Sequence, residues 1–171
     1  FYFAGHGSPS EFGGHLVTQE GEDGDLGVDM HNLVKAANKS KVREVVIVLD
    51  CCHSGGIGST DEAGDQKIKL RRGVSILTAS TGKQSAIENE KGGVFTSLVC
   101  DALEGGAADI LGNITVASVY AHVTQALGSW EQRPLFMASL DDLTTLRHCT
   151  PVFSLAVLRK IADIFDEEDT V

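Results

Sequence analysis

The chain has 171 residues, 42% of them hydrophobic and 22% charged, which is ordinary for one soluble globular domain with its own core. A net charge of -10 argues against a nucleic-acid-binding surface, which needs clustered Lys and Arg, and no run approaches the roughly 18 apolar residues that span a bilayer. No signal-peptide pattern is present, and cysteines at 51, 52, 100 and 149 lack the spacing of a disulfide framework, so free thiols in a cytoplasmic, reducing setting are expected.

In chain order, Phe1 to Ala4 reads as a short buried strand that ends in Gly5-His6-Gly7, which places His6 at a strand's carboxyl end. Opening inside an apolar run suggests a fragment, because natural termini are usually frayed and polar. Ser8 to Asp29 is loop-like and acidic, with a small hairpin strand at His15 to Thr18. Asp29 is placed to cap a helix from Met30 to about Lys39.

Val45 to Leu49 is an unbroken branched aliphatic run, the pattern of a strand covered on both faces in a parallel sheet. It ends abruptly at Asp50-Cys51-Cys52-His53-Ser54-Gly55-Gly56. In open parallel sheets, sites are built at the carboxyl ends of strands. Residues 57 to 72 form a charged linker, too long for a tight connection, that ends in Lys67, Lys69, Arg71 and Arg72.

Val74 to Ala79 is the next strand and Ser80 to Gly93 a polar loop. A helix from about Phe95 to Leu103 stops at Gly105-Gly106, with Cys100 expected on its core face. Thr115 is expected to cap a helix over 116 to 127, Leu135 to Ala138 is the last strand, and Thr150-Pro151 starts a final helix that runs to about Phe165.

His6 and the cysteine pair thus sit at two strand ends with one helix between. Right-handed crossover makes such parallel strands neighbours, so an imidazole and a thiol meet at one sheet edge, as a base and a nucleophile do. A zinc site at Cys51, Cys52 and His53 is disfavoured, because adjacent residues point apart.

Tyr2-Phe3-Ala4-Gly5-His6-Gly7 and Leu49-Asp50-Cys51-Cys52-His53-Ser54-Gly55 resemble the paired histidine and cysteine motifs of caspase-like cysteine proteases. The similarity is closest to metacaspases and prokaryotic caspase homologues. It implies an α/β fold, a caspase-like three-layer sandwich around a mostly parallel sheet, here without its first two strands. The peptidase domain would then span 1–149, N-terminally incomplete, followed by a C-terminal helix and acidic tail at 150–171.

The resemblance makes Cys52 the nucleophile and His6 the general base and acid, with the backbone N–H groups of Gly7 and Cys52 as the oxyanion hole. Cys51 is then a packed neighbour. Ser85, Ala86 and Ile87 match the segment that lines the substrate cleft, where an extended peptide adds as a strand. Asp50 matches an acid that helps to bind Arg or Lys before the scissile bond; Ala4 departs from the serine of many relatives. Lys69, Arg71 and Arg72 lie where relatives carry a processed linker, which makes them candidate self-cleavage sites.

The expected activity is a cysteine endopeptidase acting through a thioester acyl-enzyme, with a polypeptide substrate and no obligatory cofactor. Calcium is a weaker expectation at the acidic run from Glu20 to Asp29, because some metacaspases require it. An upstream segment or companion chain is expected to complete the sheet, and regulatory domains or subunits fit the defence and cell-death systems of prokaryotic relatives. Two other readings stay open: a catalytically silent caspase-like module that binds or scaffolds partners, and an α/β ligand-binding domain whose cysteine is incidental.

Overall fold

Three apolar runs far apart in the chain lie side by side in a computed structural model that describes residues 1–9, 14–22, 25–52, 69–80, 88–89, 92–128 and 133–161. In chain order the elements are β1 (Tyr2–Ala4), β2 (Gly7–Ser8), β3 (His15–Glu22), β4 (Asp25–Asp29), α1 (Met30–Lys39), β5 (Val45–Asp50), β6 (Val74–Thr78), β7 (Glu88–Asn89) and β8 (Gly92–Gly93). Then come α2 (Val94–Asp101), which runs into a π-type turn at Ala102–Gly106, β9 (Asn113–Thr115), α3 (Val116–Leu127), β10 (Leu135–Ser139), β11 (Thr145–His148) and α4 (Leu155–Ile161). The central sheet has the order β1-β5-β6-β10; β1, β5 and β6 are parallel and β10 is antiparallel to β6.

Strand periodicity divides the core into two clusters. On one face Ile47, Leu49, Cys51, Val74 and Ile76 pack with Leu16 and with Met30, Val34 and Ala37 of α1. On the other, Leu77 and Ala79 pack with Phe95 and Val99 of α2, Ile114 of β9, and Val119, Val123 and Leu127 of α3, with Val48 against them. Helices on both faces make the three layers, and the uniformly apolar run at 45–49 follows from that double cover.

Local signals fix the helix ends. The Asp29 carboxylate accepts from the Asn32 N–H at 2.9 Å and caps α1. Thr115 and Ser118 form a reciprocal capping box at α3. At the other end of α1, the Arg71 guanidinium donates to the carbonyls of Ala37, Val42, Arg43 and Arg72. A cation on the last carbonyls of a helix is favourably placed, and here it also ties β6 to the α1–β5 connection.

Several local expectations are corrected. The stretch from Ser8 to Asp29, expected to be a loop with one small hairpin strand at His15 to Thr18, has that strand within a fuller antiparallel sheet in the order β2-β3-β4, with Leu16 opposite Gly7 and Val28. Its acidic, glycine-rich composition signals turns, but burial of Leu16 against Met30 and cross-strand pairing decide the outcome. β9 and β11 pair with each other, and neither had a clear sequence signal.

The final helix begins at Leu155 and not at Pro151, because Ser154 supplies the cap: its carbonyl accepts from the N–H groups of Val157 and Leu158, and its hydroxyl accepts from Val157. Cys100 is exposed, because Phe95, Val99 and Ala102 form the buried stripe of this segment and residue 100 falls beside it. Among the described residues, no helix is long and apolar enough to cross a membrane.

Candidate active site

Parallel pairing of β1 with β5 sets the site. Tyr2 lies opposite Val48, Phe3 opposite Leu49 and Ala4 opposite Asp50. The Gly5 N–H donates to the Asp50 carbonyl at 3.0 Å, so the ladder continues past the ends of both strands. The same spacing along the two chains brings the residues after Gly5 level with those after Cys51.

Beyond the ladder the two turns touch. A Cβ added at Gly7 would lie 2.1 Å from the Cys52 carbonyl oxygen and 3.3 Å from the Cys51 Sγ, closer to the former than any side chain tolerates. Only a glycine lets the His6-Gly7 backbone lie directly on that of Cys52. The His6 carbonyl accepts from the Val17 N–H at 2.9 Å, and Gly7 pairs with Leu16, so the small antiparallel sheet braces the histidine turn from behind.

Burial separates the two adjacent thiols. Cys51 is 1% exposed and belongs to the α1-side core, in line with the odd-numbered residues of β5. Cys52 is half-buried and His6 is exposed, so both can be reached from solvent. A reachable thiol and an imidazole carried on touching turns, at the carboxyl ends of parallel strands, are the parts that nucleophilic catalysis requires.

Asp50 is 6% exposed and points to the α2 face with Val48. Its Oδ2 accepts from the Thr96 backbone N–H at 3.1 Å and from the Thr96 hydroxyl at 2.5 Å, and the Thr96 hydroxyl also pairs with the Tyr2 hydroxyl at 2.7 Å. Helix α2 opens on Gly93, which has no capping side chain; a Cβ there would lie 2.2 Å from Asp50 Oδ2. Asp50 therefore caps α2 from a neighbouring strand. Sequence reasoning missed Tyr2 and Thr96. The available signal was a helix that starts on glycine and so needs a cap from elsewhere.

The other expected site residues fall as follows. Ser85, Ala86 and Ile87 lie outside the described residues. Lys69 is exposed, with its carbonyl accepting from Asn38 Nδ2 at 2.9 Å, and Arg72 is exposed and pairs with Asp141 at 3.3 Å. The Arg71 guanidinium is held by its four carbonyls. Among the described residues, no three His, Cys, Asp or Glu side chains are grouped to hold a metal ion. The acidic run considered for calcium is described only in part: Asp29 caps α1 and faces His15 at 4.0 Å, while the side chains of Glu22, Asp23 and Asp25 lie outside.

Comparison with curated proteins gives no match. The family model of the caspase domain matches residues 1–144, which include both touching turns, the whole central sheet, α1, α2 and α3. With a mostly parallel sheet between two helical layers and most of its length matched, the chain belongs to the caspase-domain family, which implies cysteine-peptidase chemistry.

Proposed function

We propose that the chain is a cysteine endopeptidase that cleaves after a basic residue, with Cys52 as nucleophile and His6 as its base. The observation that carries this reading is the contact of the Gly7 and Cys52 backbones, which sets the two side chains on adjoining turns. His6 takes the Cys52 thiol proton as sulfur attacks the scissile carbonyl, and returns it to the leaving amine, so that a thioester remains on Cys52. Water, deprotonated by His6, then attacks the thioester; the carboxylate product leaves and the thiol is restored. Backbone N–H groups of Gly7 and Cys52 would hold the developing oxyanion, each worth about 3 kcal/mol in the transition state.

Asp50 supplies the preference. It is a buried carboxylate two residues before the nucleophile, and a buried acid favours a Lys or Arg side chain over an acidic one. Ser85 to Ile87 would line the cleft, with the substrate extended along it as an added strand. Four cysteines, none in a disulfide, suit a reducing cytoplasmic setting.

A fluorogenic panel with Arg, Lys, Asp or Leu before the leaving group tests this reading. Arg and Lys are expected to be cleaved best, with kcat/KM at least about tenfold above Leu and Asp, the scale of one desolvated charge-assisted contact. Leu cleaved best would remove the role given to Asp50, and no cleavage of any member would leave a silent binding module as the better reading.

We also propose linker self-cleavage after Lys69 or Arg72 in preference to Arg71, because a guanidinium committed to four carbonyls is not available to a specificity pocket. After a cut at Lys69, Arg71 would still bind Ala37, Val42 and Arg43, and β6 would still pair with β5, so both pieces stay together. Intact-mass spectra of the active protein check this; a terminus at Arg71, or an uncut active chain, counts against it.

A further inference from the structure

The hydroxyl chain from Tyr2 to Asp50 joins three elements on the α2 face of the sheet. β1 leads to His6, β5 leads to Cys52, and α2 lies across them. The direction of the hydrogens follows from the groups themselves. The Thr96 hydroxyl donates its single hydrogen to Asp50 Oδ2. The Tyr2 hydroxyl must then donate to Thr96 Oγ1.

Two donors thus converge on one carboxylate oxygen. One is the backbone N–H of Thr96, fixed by the helix; the other is its side-chain hydroxyl, itself oriented by Tyr2. Among the described residues, every hydrogen bond to this carboxylate falls on Oδ2. Gly93 leaves the room in which that oxygen sits.

We propose that Thr96 is a positioning residue for Asp50, with Tyr2 as its support: the pair hold the carboxylate by Oδ2 and so fix where Oδ1 meets the substrate's basic side chain. The inference rests on the basic-residue reading of the site. It goes beyond that reading by naming what orients the pocket acid, and it separates specificity from the chemistry of His6 and Cys52, which the hydroxyl chain does not touch.

The test uses Thr96→Val, which keeps the backbone N–H and the side-chain shape but loses the hydroxyl. KM for Arg and Lys peptides is expected to rise about tenfold, the effect of one hydrogen bond to a charged group, with kcat changed less than about twofold. Thr96→Ser should restore the wild-type KM. Iodoacetamide should alkylate Cys52 at the wild-type rate in both Thr96 variants. Tyr2→Phe, at a residue that is 51% exposed, should raise KM about threefold, because it acts one bond further away.

A wild-type KM in Thr96→Val, no restoration by serine, or a matching fall in Cys52 alkylation would overturn the proposal. Should Thr96→Val not fold, Tyr2→Phe decides, and an unchanged KM there overturns it. Asp50→Asn separates the two claims. If it cleaves Arg and Lys peptides as well as wild type does, the pocket reading fails and the role of Thr96 falls with it. If it is crippled while Thr96→Val is normal, only the role of Thr96 fails.

Discussion

Cys52→Ala is expected to lower peptide hydrolysis by at least about 10⁴-fold while melting close to the wild-type temperature, and Cys51→Ala is expected to do the reverse. The two residues are neighbours in sequence, but they belong to different environments. Cys52 is half-buried where the strand has already ended, and alanine there removes a thiol without opening the core. Cys51 is packed with Leu16, Met30 and Leu49, so its truncation leaves a small void and costs about 1–2 kcal/mol. Activity of Cys51→Ala should stay within a few-fold of wild type. Steady-state kinetics on the preferred peptide, paired with thermal denaturation, check both halves; loss of activity in Cys51→Ala with retention in Cys52→Ala would reverse the assignment.

Gly7→Ala is expected to be the most damaging glycine substitution near the site. The new methyl would meet the Cys52 carbonyl oxygen at 2.1 Å, and both partners are backbone, so no side chain can swing aside. The two turns must part by an ångström or more. A displacement of that size in a group that aligns the reacting atoms costs on the order of 100-fold in rate. Overpacking adds a stability loss of about 1–3 kcal/mol.

Gly5→Ala is the matched control. Its methyl meets the Phe3 ring at 3.1 Å, and an aromatic ring can tilt. It should cost less than about fivefold in kcat/KM. Equal effects at both glycines would show that the Gly7 contact has no special part in the site.

Much of the site was legible in the sequence because its signals are local. The unbroken run from Val45 to Leu49 announces a strand covered on both faces, and Asp29 and Thr115 announce the helix starts. The glycines around His6 mark a turn in which backbone must approach something closely; the structure identifies it as Cys52. What stayed hidden depends on partners distant in sequence. The hairpin strand at His15 to Thr18 was expected, but not its pairing with Gly7–Ser8 on one side and Asp25–Asp29 on the other, which builds a three-stranded sheet.

Asp50 shows the same limit at the site itself. Its position before Cys52 was visible, but its bonds to Thr96 join residues 46 positions apart through the packing of α2 on the sheet. Cys100 shows how a one-residue error in helical phase turns an expected core residue into an exposed one. That exposure makes it a useful internal reference for thiol reactivity.

The proposed role of Cys52 as a nucleophile activated by His6 is open to a direct test by covalent capture. The protein is incubated with a chloromethyl ketone carrying a peptide that ends in Arg, and the modified thiol is located by mass spectrometry. A single adduct on Cys52 is predicted, with Cys100 unmodified over the same time and with capture slowed about 100-fold or more in His6→Ala. Equal labelling of Cys52 and Cys100, or capture that His6→Ala leaves unchanged, would contradict it.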